Sequence, residues 1–163
     1  MKKITKIAFL LLSIGIVFLT SCKVGDQDET PVTPPTNTEK ITEKNFYFSD
    51  LDYSIDGTTA FSYSDLDDCE KDDFTRFEKD GTALDDEGVT KCDAADPQTD
   101  PFTWLFLANE TELQLNFGMG DLQVYSILTN DGTTLKLRIT ETEDATGDGN
   151  DNTIVATLTF TAR

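Results

Sequence analysis

From residue 45 onward, apolar side chains recur at every second position between short clusters of Gly, Asp and Asn, and no stretch keeps helical spacing. Leu135, Leu137 and Ile139 alternate with Lys136 and Arg138, and Ile154, Ala156, Leu158 and Phe160 alternate with Val155, Thr157 and Thr159. The same period places Leu113, Leu115 and Phe117 on one face, and Phe102, Trp104 and Phe106 on another. Between 122 and 128 no single face is apolar, which predicts a bulge or burial on both sides. Turn signals fall at Asp56-Gly57, Lys79-Asp80-Gly81, Asn109-Glu110-Thr111, Gly118-Met119-Gly120, Asn130-Asp131-Gly132 and residues 144–152. The runs between them predict eight strands, near 46–55, 74–79, 82–87, 102–107, 112–117, 122–128, 134–140 and 153–162. With no helix to carry a parallel crossover, these short hairpin-linked strands predict an all-β antiparallel sandwich or up-and-down barrel.

The first 22 residues follow a different pattern. Lys2, Lys3 and Lys6 precede an apolar run from Ile7 to Leu19, and small residues lead to Cys22, which are the parts of an export signal. As a helix the run spans roughly 20 Å, short of the ~30 Å hydrocarbon core, so it does not read as a permanent transmembrane span. Leu19-Thr20-Ser21-Cys22 resembles the bacterial lipobox. That resemblance implies cleavage before Cys22 and acylation of its thiol and new amino group, giving the multiple acyl chains that a stable anchor needs. A plain secretory signal is the competing reading.

Residues 23–44 hold Pro31, Pro34 and Pro35 among threonines and mixed charges, with almost no apolar bulk. Such a segment buries too little surface to offset its ordering entropy and reads as a disordered tether reaching about 25 Å or more. Lys23, rather than Asp, follows the lipobox, which by analogy argues for sorting to the outer membrane. Asp26, Asp28 and Glu29 resemble short acidic surface-export tags and equally suit a solvated linker, so the membrane face stays open. Residues 45–163 remain as one domain.

The chain carries a formal net charge of −18. Because the signal holds three of the 13 basic residues and no acidic one, cleavage takes this to −21. That excludes the usual nucleic-acid binder and opposes adhesion to an anionic membrane face, while it favours cationic partners or divalent ions. With Cys22 assigned to lipid, Cys69 and Cys92 remain as an even pair in an exported protein. A disulfide is the economical reading; a metal site competes poorly, since the chain has no His.

Asp68-Cys69-Glu70-Lys71-Asp72-Asp73, then Phe77, Asp80-Gly81, Cys92, Thr103-Trp104 and Leu113-Gln114-Leu115 together resemble the small lipocalin-like lipoproteins of Bacteroidota. The resemblance covers most of residues 65–140. It implies an eight-stranded antiparallel up-and-down barrel and a Cys69–Cys92 disulfide; since the last residues read as a strand, no terminal helix is expected on it. It brings no reaction with it. The first strand departs from the pattern, reading Lys44-Asn45-Phe46-Tyr47-Phe48 without the usual Trp, so its register is left open.

A barrel of that size can be filled by side chains or hold one small molecule. Phe77, Trp104, Phe106, Phe117 and Phe160 are the expected inward aromatics, and they suit a ligand lining or a plug equally well. Nothing points to an enzyme or a cofactor. There is no His for a Ser-His or Cys-His pair, and Asp67-Asp68, Asp72-Asp73 and Asp85-Asp86 are expected on solvated turns. Asp144, Asp148 and Asn150 partly match a calcium loop, but Thr146 stands at its third ligand position and no bidentate Glu follows at the required spacing; a polar hairpin loop fits better. The sequence thus predicts a monomeric binding module held at the outer membrane by acyl chains, with a small hydrophobic or amphipathic ligand. The alternative is an accessory subunit with a filled barrel that works through protein contacts.

Overall fold

In a computed structural model, which describes residues 33–42 and 44–163, each alternating run becomes a strand with one inward face. The strands are β1 (Asn45–Ile55), β2 (Thr58–Ser62), β3 (Phe74–Phe77), β4 (Thr82–Asp86), β5 (Thr99–Leu107), β6 (Glu112–Gly118), β7 (Asp121–Asn130), β8 (Thr134–Glu143) and β9 (Asn152–Ala162). From β4 to β9 every strand pairs antiparallel with its predecessor, and β1 joins both β3 and β9. The result is a closed eight-stranded up-and-down barrel, as the sequence predicts. β2 stands outside the cycle, paired with the C-terminal half of β1. β3 ends at Phe77, short of the expected boundary, and β5 begins at Thr99, ahead of it.

Of the four register shifts in the sheet, two decide which residues of β1 and β7 face inward. In β1, Phe48 pairs with Phe160 and Asp50 with Thr159, leaving Ser49 as an extra residue. Phe46 and Phe48 before it, and Leu51, Tyr53 and Ile55 after it, therefore all share the face of β9 that carries Ala162, Phe160, Leu158, Ala156 and Ile154. In β7, Ile127 pairs with Leu137 and Thr129 with Lys136, so Leu128 is the extra residue, in the run where the sequence shows no single apolar face. Tyr125 of β7 is buried, while Leu122, Val124 and Leu128 are exposed.

The N-terminal boundary differs from the expectation. Residues 37–42 are not tether: α1 (Asn37–Ile41) forms a short helix, and Ile41 and Thr42 are buried. Thr36 caps it by accepting from the Glu39 N–H at 3.2 Å while the Glu39 carboxylate accepts from the Thr36 N–H at 2.8 Å, a reciprocal capping box. A five-residue helix does not hold by propensity, and packing secures this one. Asn130 donates to the Asn37 carbonyl at 3.3 Å, Lys44 donates to that of Gly132, and Thr42 bridges to Phe77. Ile41, Phe46, Leu113 and Leu135 have no exposed surface and form the centre of this end of the core. Residues 34–163 form one compact unit. Cys22, the signal and the tether up to residue 32 lie outside the described residues.

Candidate functional site: an open cavity with an acidic rim

The end of the barrel opposite α1 is built from loops. Residues 63–73, between β2 and β3, meet residues 87–98, between β4 and β5, at a Cys69–Cys92 disulfide with Cα atoms 5.2 Å apart. Asp72 ties the same two loops, its carboxylate accepting from the N–H groups of Val89 at 2.8 Å and Thr90 at 3.0 Å. Gly88 makes that approach possible: its φ is +65°, and a Cβ there would lie 2.4 Å from the Asp72 carbonyl oxygen. Gln98 closes the second loop with bonds to Asp86 at 2.7 Å and to the Gly88 carbonyl at 3.0 Å.

Beneath these loops lies a cavity of about 450 Å³, within the range of small-molecule sites. Its wall is apolar, formed by Phe48, Phe74, Phe77, Phe102, Phe117, Phe160, Tyr125, Leu66, Leu115, Leu137 and Leu158. Of the five aromatics expected inside the barrel, Phe77, Phe117 and Phe160 reach this cavity. Trp104 and Phe106, also expected to line a ligand, are not among its lining residues. They stack toward α1 instead, Phe77 to Trp104 at 5.6 Å and Trp104 to Phe106 at 5.3 Å between ring centroids. The Trp104 indole N–H is shared by the carbonyls of Glu78 and Thr82, at 3.2 and 3.0 Å. The interior is thus filled at one end and open at the other.

Five carboxylates also line the cavity: Glu70, Asp73, Asp85, Glu87 and Asp100. Asp85-Asp86 therefore belongs to β4 rather than to a turn, and Asp73, although in a loop, faces the cavity, which corrects the expectation of solvated turns for these residues. β4 carries Asp85 in phase with inward Ala83, and β5 carries Asp100 in phase with inward Phe102. Pairing lines up Thr75, Asp85 and Asp100 across three strands. Thr75 donates to Asp85 at 2.5 Å, but Asp85 and Asp100 stand directly opposite each other, an unfavourable like-charge pair. A second cavity of about 300 Å³ shares Asp73, Asp85, Glu87 and Asp100 and adds Asp86, Asp96 and Pro97.

Placement here disfavours ionisation. Burial, and then the charges of Glu87, Asp72, Glu70 and Asp85, push Asp73 up to about 6 from the ordinary 3.8, and its Oδ1 is buried with no hydrogen-bond partner. Solvent still reaches Asp85, yet protein surrounds most of it; that burial, helped by Asp100, raises its pKa against the Thr75 hydrogen bond. Burial pushes the Tyr125 hydroxyl up to about 12, assisted by Glu141, Asp121 and Asp85, and that hydroxyl donates to Gln123.

A carboxyl whose folded pKa is raised binds more protons in the native than in the unfolded state, so its contribution to stability falls as pH rises through that window. The penalty from Asp73 is expected to be absent well below its unfolded value of 3.8, to grow as the pH rises from there, and to be complete about one pH unit above its folded value of about 6. Asp73→Asn should therefore raise the melting temperature at pH 7.5, with the gain shrinking as the pH falls and vanishing by about pH 3. A gain independent of pH would show that Asp73 is not strained by its charge.

The calcium-like loop is organised differently. Both oxygens of Asp144 turn onto the loop's own backbone, accepting from Gly147 at 2.7 Å, Asp148 at 3.1 Å and Gly149 at 2.8 Å, while Asp148 accepts from the Asn150 N–H at 2.9 Å. Among the described residues, no three Asp, Glu, Cys or His side chains are grouped closely enough to hold a metal ion.

No protein-family model matches the sequence, and no curated protein or solved structure is detectably similar to it.

Proposed function

We propose that the protein is a lipid-anchored binding module of the cell envelope that takes a small hydrophobic or amphipathic ligand into the open end of its barrel. The cavity carries this reading: an apolar chamber of about 450 Å³ whose mouth is fixed by a disulfide. A barrel serving only as a scaffold has no need to leave that volume unfilled, because each buried void forfeits packing energy. The lipobox-like sequence supplies the anchor, and the resemblance to lipocalin-like lipoproteins agrees with a carrier or receptor. No catalytic role is assigned to the cavity.

Two measurements test this reading. Residues 23–163, purified without detergent and then denatured, should release a stoichiometric hydrophobe detectable by mass spectrometry. Leu137→Trp, which fills the cavity wall, should abolish that release while leaving a folded barrel. If wild type and variant both come away empty and neither takes up a neutral aliphatic probe, the binding role is wrong. In the native host, labelled palmitate should enter the chain and fail to enter Cys22→Ala.

A further inference from the structure

We propose that the cavity selects a cationic amphiphile: an amine or quaternary ammonium group seated among the rim carboxylates, with its apolar body in the aromatic chamber. This deepens the binding role proposed above and rests on it.

Charge complementarity decides the headgroup. The charged residues lining the cavity are all acidic, and no Lys or Arg is among them. Nearby basic groups are engaged elsewhere: Lys71 pairs with Asp68 at 3.2 Å, Arg76 with Glu78 at 2.8 Å, and Lys91 donates to the Asp96 carbonyl. An acid or phosphate headgroup would meet repulsion from Asp73, Asp85 and Asp100, and a neutral headgroup would leave their mutual repulsion in place. A cation relieves it.

The wall also distinguishes an organic cation from a metal ion. The rim acids are spread around the mouth rather than gathered into an ion-sized cage. That spacing suits a diffuse charge attached to an apolar body. Phe48, Phe74, Phe102 and Phe117 line the same cavity as the acids, and aromatic rings add cation–π attraction for an ammonium group that meets them. Asp73 keeps one buried oxygen unpartnered in the same wall. Such an uncompensated group is costly in a structural role and useful where a ligand supplies the missing partner.

The test uses residues 23–163, which contain the whole compact unit, and three probes with one alkyl chain: decyltrimethylammonium, decanol and decanoate, each below its micelle concentration. Calorimetric titration at pH 7.5 and low salt should rank them in that order, with the ammonium at least about tenfold tighter than the alcohol. Asp85→Asn and Asp100→Asn should each reduce the preference for ammonium over alcohol, read as the ratio of the two affinities measured on the same variant. Because the ammonium cannot titrate, its weaker binding at pH 5 would report protonation of the acids facing the mouth, with Asp73 surrounded by Glu70, Asp72, Asp85 and Glu87. Equal affinities for ammonium and alcohol, or a preference for decanoate, would overturn the cation assignment and leave the hydrophobe-binding role standing. Failure of all three probes to bind would overturn both.

Discussion

Replacing Cys69 and Cys92 together by serine should lower the free energy of unfolding by about 3–4 kcal/mol and the melting temperature by about 10–15 °C. The bond joins residues 23 apart in sequence and encloses the β3–β4 hairpin, so cutting it restores the freedom of that whole segment to the unfolded chain. In the folded state the two loops keep the Asp72 bonds to Val89 and Thr90, so the barrel itself should survive. Urea titration of the double variant, compared with wild type under a reductant, measures the loss. Both should shift the midpoint alike. A change below 1 kcal/mol would mean that the unfolded chain is not loosened by losing the crosslink. The same variant should also weaken binding of whatever the cavity holds, because the bond joins the loops that shape its mouth.

Ile41→Ala is expected to cost 2–5 kcal/mol, roughly the range for a fully buried aliphatic side chain cut back to a methyl. The size of this effect separates two descriptions of the N-terminal segment. A tether residue would tolerate alanine with a change of about 0.5 kcal/mol or less. A residue that seals a barrel end, against Phe46, Leu113 and Leu135, would not. Thr36→Ala should cost less, about 0.5–2 kcal/mol, since it removes a cap from a helix still held by packing. Chemical denaturation of both variants reads the order directly. An Ile41→Ala variant as stable as wild type would return residues 37–42 to the linker.

Most of the eight barrel strands were legible because they keep a two-residue alternation between turns; β1 and β7, whose extra residues Ser49 and Leu128 break that parity, were legible from the turns that bound them. β2 was not, because Thr58-Thr59-Ala60-Phe61-Ser62 lies on an edge where nothing demands alternation, and Phe61 itself is partly exposed. α1 was hidden in proline- and threonine-rich composition, although Thr36 followed three residues later by Glu39 is a capping-box signal. Among the inward aromatics, alternation gave the face and not the depth. Phe102, Trp104 and Phe106 share one face of β5, yet only Phe102 reaches the cavity, since position along a tilted strand is set by barrel closure rather than by parity. The acidic rim was overlooked because carboxylates are common throughout this chain. Its signal was nevertheless present in phase: Asp85 follows Ala83 by two residues, and Asp100 precedes Phe102 by two.

The extra residue at Ser49 has a consequence for recognising other proteins built this way. On either side of it β1 carries inward residues at opposite parity, Phe46 and Phe48 against Leu51, Tyr53 and Ile55. An ungapped alignment to an unbulged first strand can match the inward positions of one half only. The other half is then compared position by position against outward-facing polar residues, and genuine kinship scores as mismatch. A single-residue gap placed at Ser49 restores both halves, so a search for relatives of this barrel gains sensitivity at that one position.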